Sequence, residues 1–253
     1  MLEQELGLLS YEALAGAERE LADWRAVGYL VLTAADPDYP ENLRVVENRP
    51  PVLFVAGRLS LGADRRSVAV IGTRQPSGRG RVLAREVALA LASAGRVVVS
   101  GLAAGIDAEV HRAVLGLGDG SRGEGREGGE RGRTLAVIGT GLAHAYPPEN
   151  AGLQAQIARS GAVISQFWPE APPSRGSFPV RNAVMSGIAL GSVIVEASEH
   201  SGTRIQARHA LAQGRVVVLM PPALKSVWAR ELAEQPGVVV AGDAADVVDV
   251  FRG

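Results

Sequence analysis

Residues 67–107 read SVAVIGTRQPSGRGRVLAREVALALASAGRVVVSGLAAGID, and their order decides the fold. The stretch opens on an apolar β-branched run, 68–71, that stops at the small-residue turn Gly72-Thr73-Arg74. A helix-period segment follows, with Leu83, Val87, Ala90, Leu91 and Ala94 on one face and Gly95 as its C-terminal stop. A second apolar run, 97–100, ends at the turn Gly101-Leu102-Ala103-Ala104-Gly105. Strand, turn, helix, strand and turn in this order make the βαβ unit of a parallel sheet. Both turns follow the C-terminal ends of their strands, where open α/β sheets bind ligands.

The same alternation continues outward. Apolar runs recur at 135–138, 162–165, 193–196 and 216–220, with a weaker one at 238–240. Helix-period segments at 79–94, 108–115, 151–160, 180–190, 203–213, 224–234 and 244–251 separate most of them. Nearly continuous apolar strands alternating with helices predict an α/β fold, an extended Rossmann-like parallel sheet with helices on both faces. Gly95, Gly161 and Gly214 stand where helices stop, and Asn150 and Asp243 where N-caps are wanted. Upstream, Leu14, Ala17, Leu21 and Trp24 share a helix face, and Pro37, Pro40, Pro50 and Pro51 break the chain around an edge-strand candidate at 52–56. Residues 1–60 therefore read as a short helical lead-in and Pro-rich connector, and 61–253 as the sheet domain. Within it, 118–133 is almost all Gly, Arg and Glu and reads as a flexible insertion.

Composition narrows the chemistry. With 47% hydrophobic and 21% charged residues, the chain of 253 residues can bury a real core. It has no cysteine, and its four histidines show no ligand spacing, so neither a metal nor a thiolate site is expected. No apolar run approaches a membrane span, and the first residues carry acids instead of a basic leader, which points to a cytoplasmic protein. The net charge of −1 means that any polyanion surface must be local.

Candidate binding residues cluster at strand ends. Gly72, Thr73, Arg74 and Ser77 form a turn before a helix, where backbone N–H groups and an arginine favour phosphate. The turn lacks the GxGxxG and GxxxxGK[ST] patterns. Gly101, Ala103 and Gly105 let a ligand approach closely; Asp107 is placed to cap the helix that carries His111. Gly141 belongs to a third glycine turn, Arg181-Asn182 open a helix, and Glu196 precedes Ser201-Gly202-Thr203 at another helix start. Phe167, Trp168 and Phe178 are the few aromatics available for base stacking. No GxSxG elbow or paired carboxylate suggests catalysis. Binding explains these residues better than chemistry does.

In this order, VAVIGTRQPSGRG, VVSGLAAGIDAEVH, RTLAVIGTGLAHAYPPEN, FPVRN and IVEASEHSGT, preceded by DYPENLRVVENRPPVLFVAGRL, resemble the DprA/Smf family of DNA-processing proteins over roughly residues 36–222. The resemblance implies a Rossmann-like domain that binds single-stranded DNA, forms a homodimer and helps load a RecA-type recombinase during natural transformation. It implies no cofactor. By it, Arg74 falls on a DNA-binding arginine, Arg133 on a basic DNA contact and Arg181-Asn182 on the family's Arg-Asn motif. Gly101, Gly105, Asp107 and His111 match a pocket-shaping segment. The sequence departs from the pattern at Gln166, Ala183, 203–206 and 221–223, and no winged helix is evident after the sheet. A second reading, from related Rossmann-like enzymes, is a nucleotide-hydrolysing site in which Glu196 acts on a ribose or glycosidic bond.

Overall fold

The computed structural model describes residues 11–119, 133–199 and 201–252. Helix α1 (Tyr11–Ala26) leads into β1 (Tyr29–Thr33), the short α2 (Glu41–Arg44), β2 (Val52–Gly57) and α3 (Leu61–Asp64). The alternating part runs β3 (Ser67–Ile71), α4 (Gly78–Ser93), β4 (Val97–Ser100), α5 (Ile106–Asp119), β5 (Thr134–Val137), α6 (Ala151–Ser160), β6 (Ala162–Ser165), α7 (Ser177–Ile188) and β7 (Gly191–Ile194). It closes with α8 (Thr203–Ala212), β8 (Val216–Leu219), α9 (Val227–Ala233), β9 (Val238–Val240) and α10 (Ala244–Val250). All the described strands join one sheet, ordered β1-β2-β6-β5-β4-β3-β7-β8-β9.

The expected Rossmann-like α/β sheet is present. Strands β3 to β9 pair in parallel, and β1 and β2 close one side as antiparallel neighbours. The edge-strand candidate at 52–56 is instead second from the edge, because Tyr29–Thr33 pairs outside it. The sheet thus continues across residue 60, and the expected lead-in and connector supply two of its strands. The insertion expected at 118–133 falls mostly on 120–132, outside the described residues.

Period-two alternation divides the sheet's side chains between two cores. Val68, Val70, Val98 and Val193 pack with Val87, Leu91 and Val110 of α4 and α5. Ala69, Ile71, Val99 and Ile194 pack on the opposite face with Val184, Met185 and Ala207 of α7 and α8. A third cluster joins Trp24 of α1, Phe54 of β2 and Ile157 of α6. Because both faces are covered, the strands carry no polar face, which is why they read as unbroken apolar runs. The chain leaves β3 toward β4 on one side and returns across the sheet to β7 on the other. The C-terminal ends of β3 and β7 therefore flank the topological switch point, where helices diverge to opposite faces and leave a crevice.

Candidate nucleic-acid interface

The crevice has a volume of about 580 Å³. Its walls are the turn after β3 (Gly72, Thr73, Arg74), the turn after β4 (Ala103, Asp107), the start of α7 (Phe178, Arg181, Asn182) and the start of α8 (Ser201, Gly202, Thr203). A narrower hollow of about 70 Å³ adjoins it, lined by Gly101, Gly139, Thr140, Tyr146 and Pro147, and shares Arg74, Ala103, Phe178 and Arg181 with it. Eleven of the residues singled out from the sequence thus meet in the larger crevice, and Gly101 faces the smaller hollow.

Buried polar side chains bind these turns together. Arg181 is buried; its Nη1 donates to the carbonyls of Gly101, at 2.6 Å, and Val137, and its Nε donates to Asn182 Oδ1 at 3.0 Å. Asn182 in turn donates through Nδ2 to the Gly202 carbonyl at 3.4 Å. A Cβ at position 101 would lie 2.6 Å from the Arg181 guanidinium, so only glycine admits this strut. Gly105, at φ +82°, lies so close to the first turn that a Cβ would sit 2.4 Å from the Thr73 carbonyl oxygen.

Asp107 is not the helix cap expected from its position. It lies within the first turn of α5, buried, and its carboxylate takes hydrogen bonds from the backbone at Ala103, Gly72 and Gly101. Burial raises its pKa, opposed by the Arg181 charge and these hydrogen bonds. Arg181 is shifted in the complementary sense: burial lowers it to about 10, Asp107 opposes that and Arg74 adds to it. The guanidinium stays charged at neutral pH. Asn150 likewise caps nothing; its Nδ2 donates to the Leu102 carbonyl at 2.9 Å. Leu102 holds φ +56° for a branched side chain, and the tether helps to hold that turn.

Arg74 is different. It is exposed, stands over the Phe178 ring at 5.4 Å, and has no ion pair among the described residues. Phe178 is also 5.4 Å from the Tyr146 ring. Among the described residues lining the two hollows, the one cation that reaches solvent thus rests on an aromatic ledge. Tyr146 was not among the residues singled out, although it stands only five positions after Gly141 of the third glycine turn.

Several expected contacts lie elsewhere. Ser77 and Glu196 hold each other: the Ser77 N–H and hydroxyl both donate to Glu196 Oε2, at 2.9 and 3.1 Å, and Ser77 Oγ caps α4 by accepting from Gly80 N. The anion site expected at the start of α4 is filled by the chain's own carboxylate, which disfavours a phosphate there. Arg133 sits at the start of β5, the end remote from the crevice. It is buried in a bidentate pair with Asp64, at 2.8 Å for both contacts, and also donates to the Arg58 carbonyl. His111 lines neither cavity; its Nδ1 is 2.9 Å from Thr134 Oγ1, and burial pushes its pKa down to about 3. Gly141 packs beneath the Trp168 and Pro169 carbonyls and lines neither hollow, although Gly139 and Thr140 beside it line the smaller one. Trp168 stacks with Trp24 and Phe54 instead of facing the crevice.

The arrangement can grip an anionic chain. It offers a fixed frame of turns, the open start of α8 and one solvent-facing arginine backed by rings. Among the described residues no group of His, Asp or Glu has the geometry to hold a metal ion.

Comparison with known proteins agrees with this architecture. DNA processing protein DprA of Bacillus subtilis is 34% identical over 211 residues, which span 83% of this chain and 67% of that protein. The crystal structure of DNA processing protein A from Streptococcus pneumoniae superposes with a TM-score of 0.75 at 31% identity, over 88% of this chain and 74% of that one. The Helicobacter pylori protein of the same name has the same fold, with a TM-score of 0.73 at 23% identity over 88% of this chain and 95% of that one. The aligned regions span from 45% to 67% of the length of the curated relatives. The family model described as DNA recombination-mediator protein A matches residues 30–247, and the chain belongs to that family.

Proposed function

We propose that this protein binds single-stranded DNA along the C-terminal edge of its sheet and acts as a recombination mediator. The observation that carries the reading is Arg74: a solvent-facing guanidinium on Phe178, at the junction of two hollows whose walls are backbone turns and small side chains. A phosphate would pair with Arg74 and the start of α8, while a base could stack against Phe178 or Tyr146. The Helicobacter pylori relative, described by its single-stranded DNA binding mode, supports the choice of ligand. The names of the family and its relatives support a place in DNA processing and recombination. A RecA-type recombinase as partner, a homodimer as the working form and the cytoplasm as compartment belong to the same proposal and rest on the family resemblance alone. No helix among the described residues is long and apolar enough to cross a membrane.

On this reading the protein is a binder and not an enzyme. The nucleotide-hydrolysing alternative relied on Glu196, and its carboxylate is committed to Ser77 at the head of α4. Fluorescence anisotropy with an oligo-dT strand, the matching duplex and free nucleotides, at two salt concentrations, tests the proposal. A preference for the single strand that weakens steeply with salt is expected. Equal affinity for duplex and single strand would refute it.

A further inference from the structure

A third hollow, of about 590 Å³, lies away from the crevice. One wall is α1, which turns Glu20, Asp23 and Trp24 to the same side, as their i, i+3, i+4 spacing dictates, with Val27 just after it. Tyr29 of β1 and the loop after β6, with Trp168 and Glu170, form the rest. The carboxylates alone would be an ordinary solvated surface. The rings beside them change that.

Trp168 is 62% exposed, yet it is held by stacking on Trp24 at 5.4 Å and Phe54 at 5.5 Å. Its loop is pinned as well: Ala143 N donates to the Pro169 carbonyl, Ala171 N to the Trp168 carbonyl and Gly141 N to the Ala171 carbonyl. Glu170 is oriented by a 3.0 Å hydrogen bond from Trp24 Nε1. Its charge reaches across the hollow, raising the Tyr29 hydroxyl pKa in second place to burial. Glu20 and Asp23 have no side-chain hydrogen bond or ion pair among the described residues. The result is a rigid, preformed recess with aromatic walls and a negative rim.

We propose that this recess receives an arginine side chain of a protein partner. A guanidinium can stack flat on an exposed indole while donating to carboxylates at its edge, which an ammonium does less well. DNA is the wrong occupant, because three carboxylates would repel its phosphates. The first ten residues carry Glu3 and Glu5 and no Lys or Arg, so they bring no guanidinium. Segment 120–132 balances Arg122, Arg126 and Arg131 against Glu124, Glu127 and Glu130. A partner segment with arginine in excess fits better than either.

The test is a titration of the full-length, ¹⁵N-labelled protein with the peptide acetyl-Gly-Arg-Gly-Arg-Gly-amide, following the tryptophan indole resonances. Saturable shifts of Trp24 and Trp168 are expected, with Trp228 unmoved. A lysine peptide should bind more weakly, and the citrulline peptide should give no shift. Glu20→Gln with Asp23→Asn should weaken the arginine peptide about tenfold, as loss of close charge pairs does, and leave oligo-dT affinity unchanged. Equal shifts with citrulline, or no saturable shift at millimolar peptide, would overturn the proposal. So would shifts of these two indoles by oligo-dT, or a peptide of residues 120–132 that binds as tightly as the arginine peptide. Failure here leaves the oligo-dT result standing, so the two readings fail separately.

Discussion

Arg181 Nη1 donates to the Gly101 carbonyl oxygen at 2.6 Å, joining a helix on one face of the sheet to the turn that ends β4. This buried contact and the exposed Arg74 guanidinium divide the labour between the two arginines read from the sequence as phosphate ligands. One holds the frame and the other faces solvent.

Arg181→Ala should act on stability first. It strips partners from the Gly101 and Val137 carbonyls and leaves buried Asp107 without its cation. Loss of one member of such a buried set typically costs about 3–5 kcal/mol. Urea unfolding monitored by circular dichroism should show a lower midpoint, and Arg181→Lys, which cannot form the same fork, should recover only part of it.

Arg74→Ala should do the reverse. An exposed residue without an ion pair among the described residues should change stability by no more than about 0.5 kcal/mol. Oligo-dT affinity should fall about tenfold, and the slope of log K against log salt should drop by about one. Anisotropy titrations across a salt series measure both.

Arg133→Ala separates architecture from binding in another way. The change leaves Asp64 as a buried carboxylate without its bidentate partner, so destabilisation of about 3–5 kcal/mol is expected. The salt slope of oligo-dT binding, measured on the folded fraction at low temperature, should stay at the wild-type value.

His111 sets an acid limit. Its folded pKa is depressed to about 3, against 6.5 for the free side chain. Between these values the unfolded chain binds a proton that the folded protein does not, so stability falls as pH drops below 6.5 and levels off near 3. The slope approaches about 1.4 kcal/mol per pH unit in that window. Asp107, with its raised pKa, contributes in the opposite direction at the acid end. Denaturant titrations from pH 7.5 to 4.5 should show the decline, and His111→Gln should flatten it.

The central sheet was legible because each β3-to-β8 strand is buried on both faces and therefore written as a run of Val, Ile, Leu and Ala. Strand β1 was not. Of its residues only Leu32 is buried while Leu30 and Thr33 are exposed, and nothing local says that Val52–Gly57 would be its neighbour. The site was legible as a set of turns but not as a division of roles. Asp107 and Asn150 stand where caps belong, and only contacts across tens of residues convert them into struts for the glycine turns. The resemblance made Arg133 a DNA contact, and its buried pairing with Asp64, 69 residues away in the chain, could not be read from the sequence. The mutual satisfaction of Ser77 and Glu196, 119 residues apart, was equally invisible.

The Arg133 clasp has one more consequence. It fastens the chain where it re-enters the sheet after segment 120–132, at the end of β5 remote from the crevice. Any pull along the chain into Arg133 therefore meets a buried ion pair before it reaches the strand that leads to the glycine turns. Clasp and crevice stand at opposite ends of β5, so the anchoring of this strand is mechanically separate from the edge that meets a ligand.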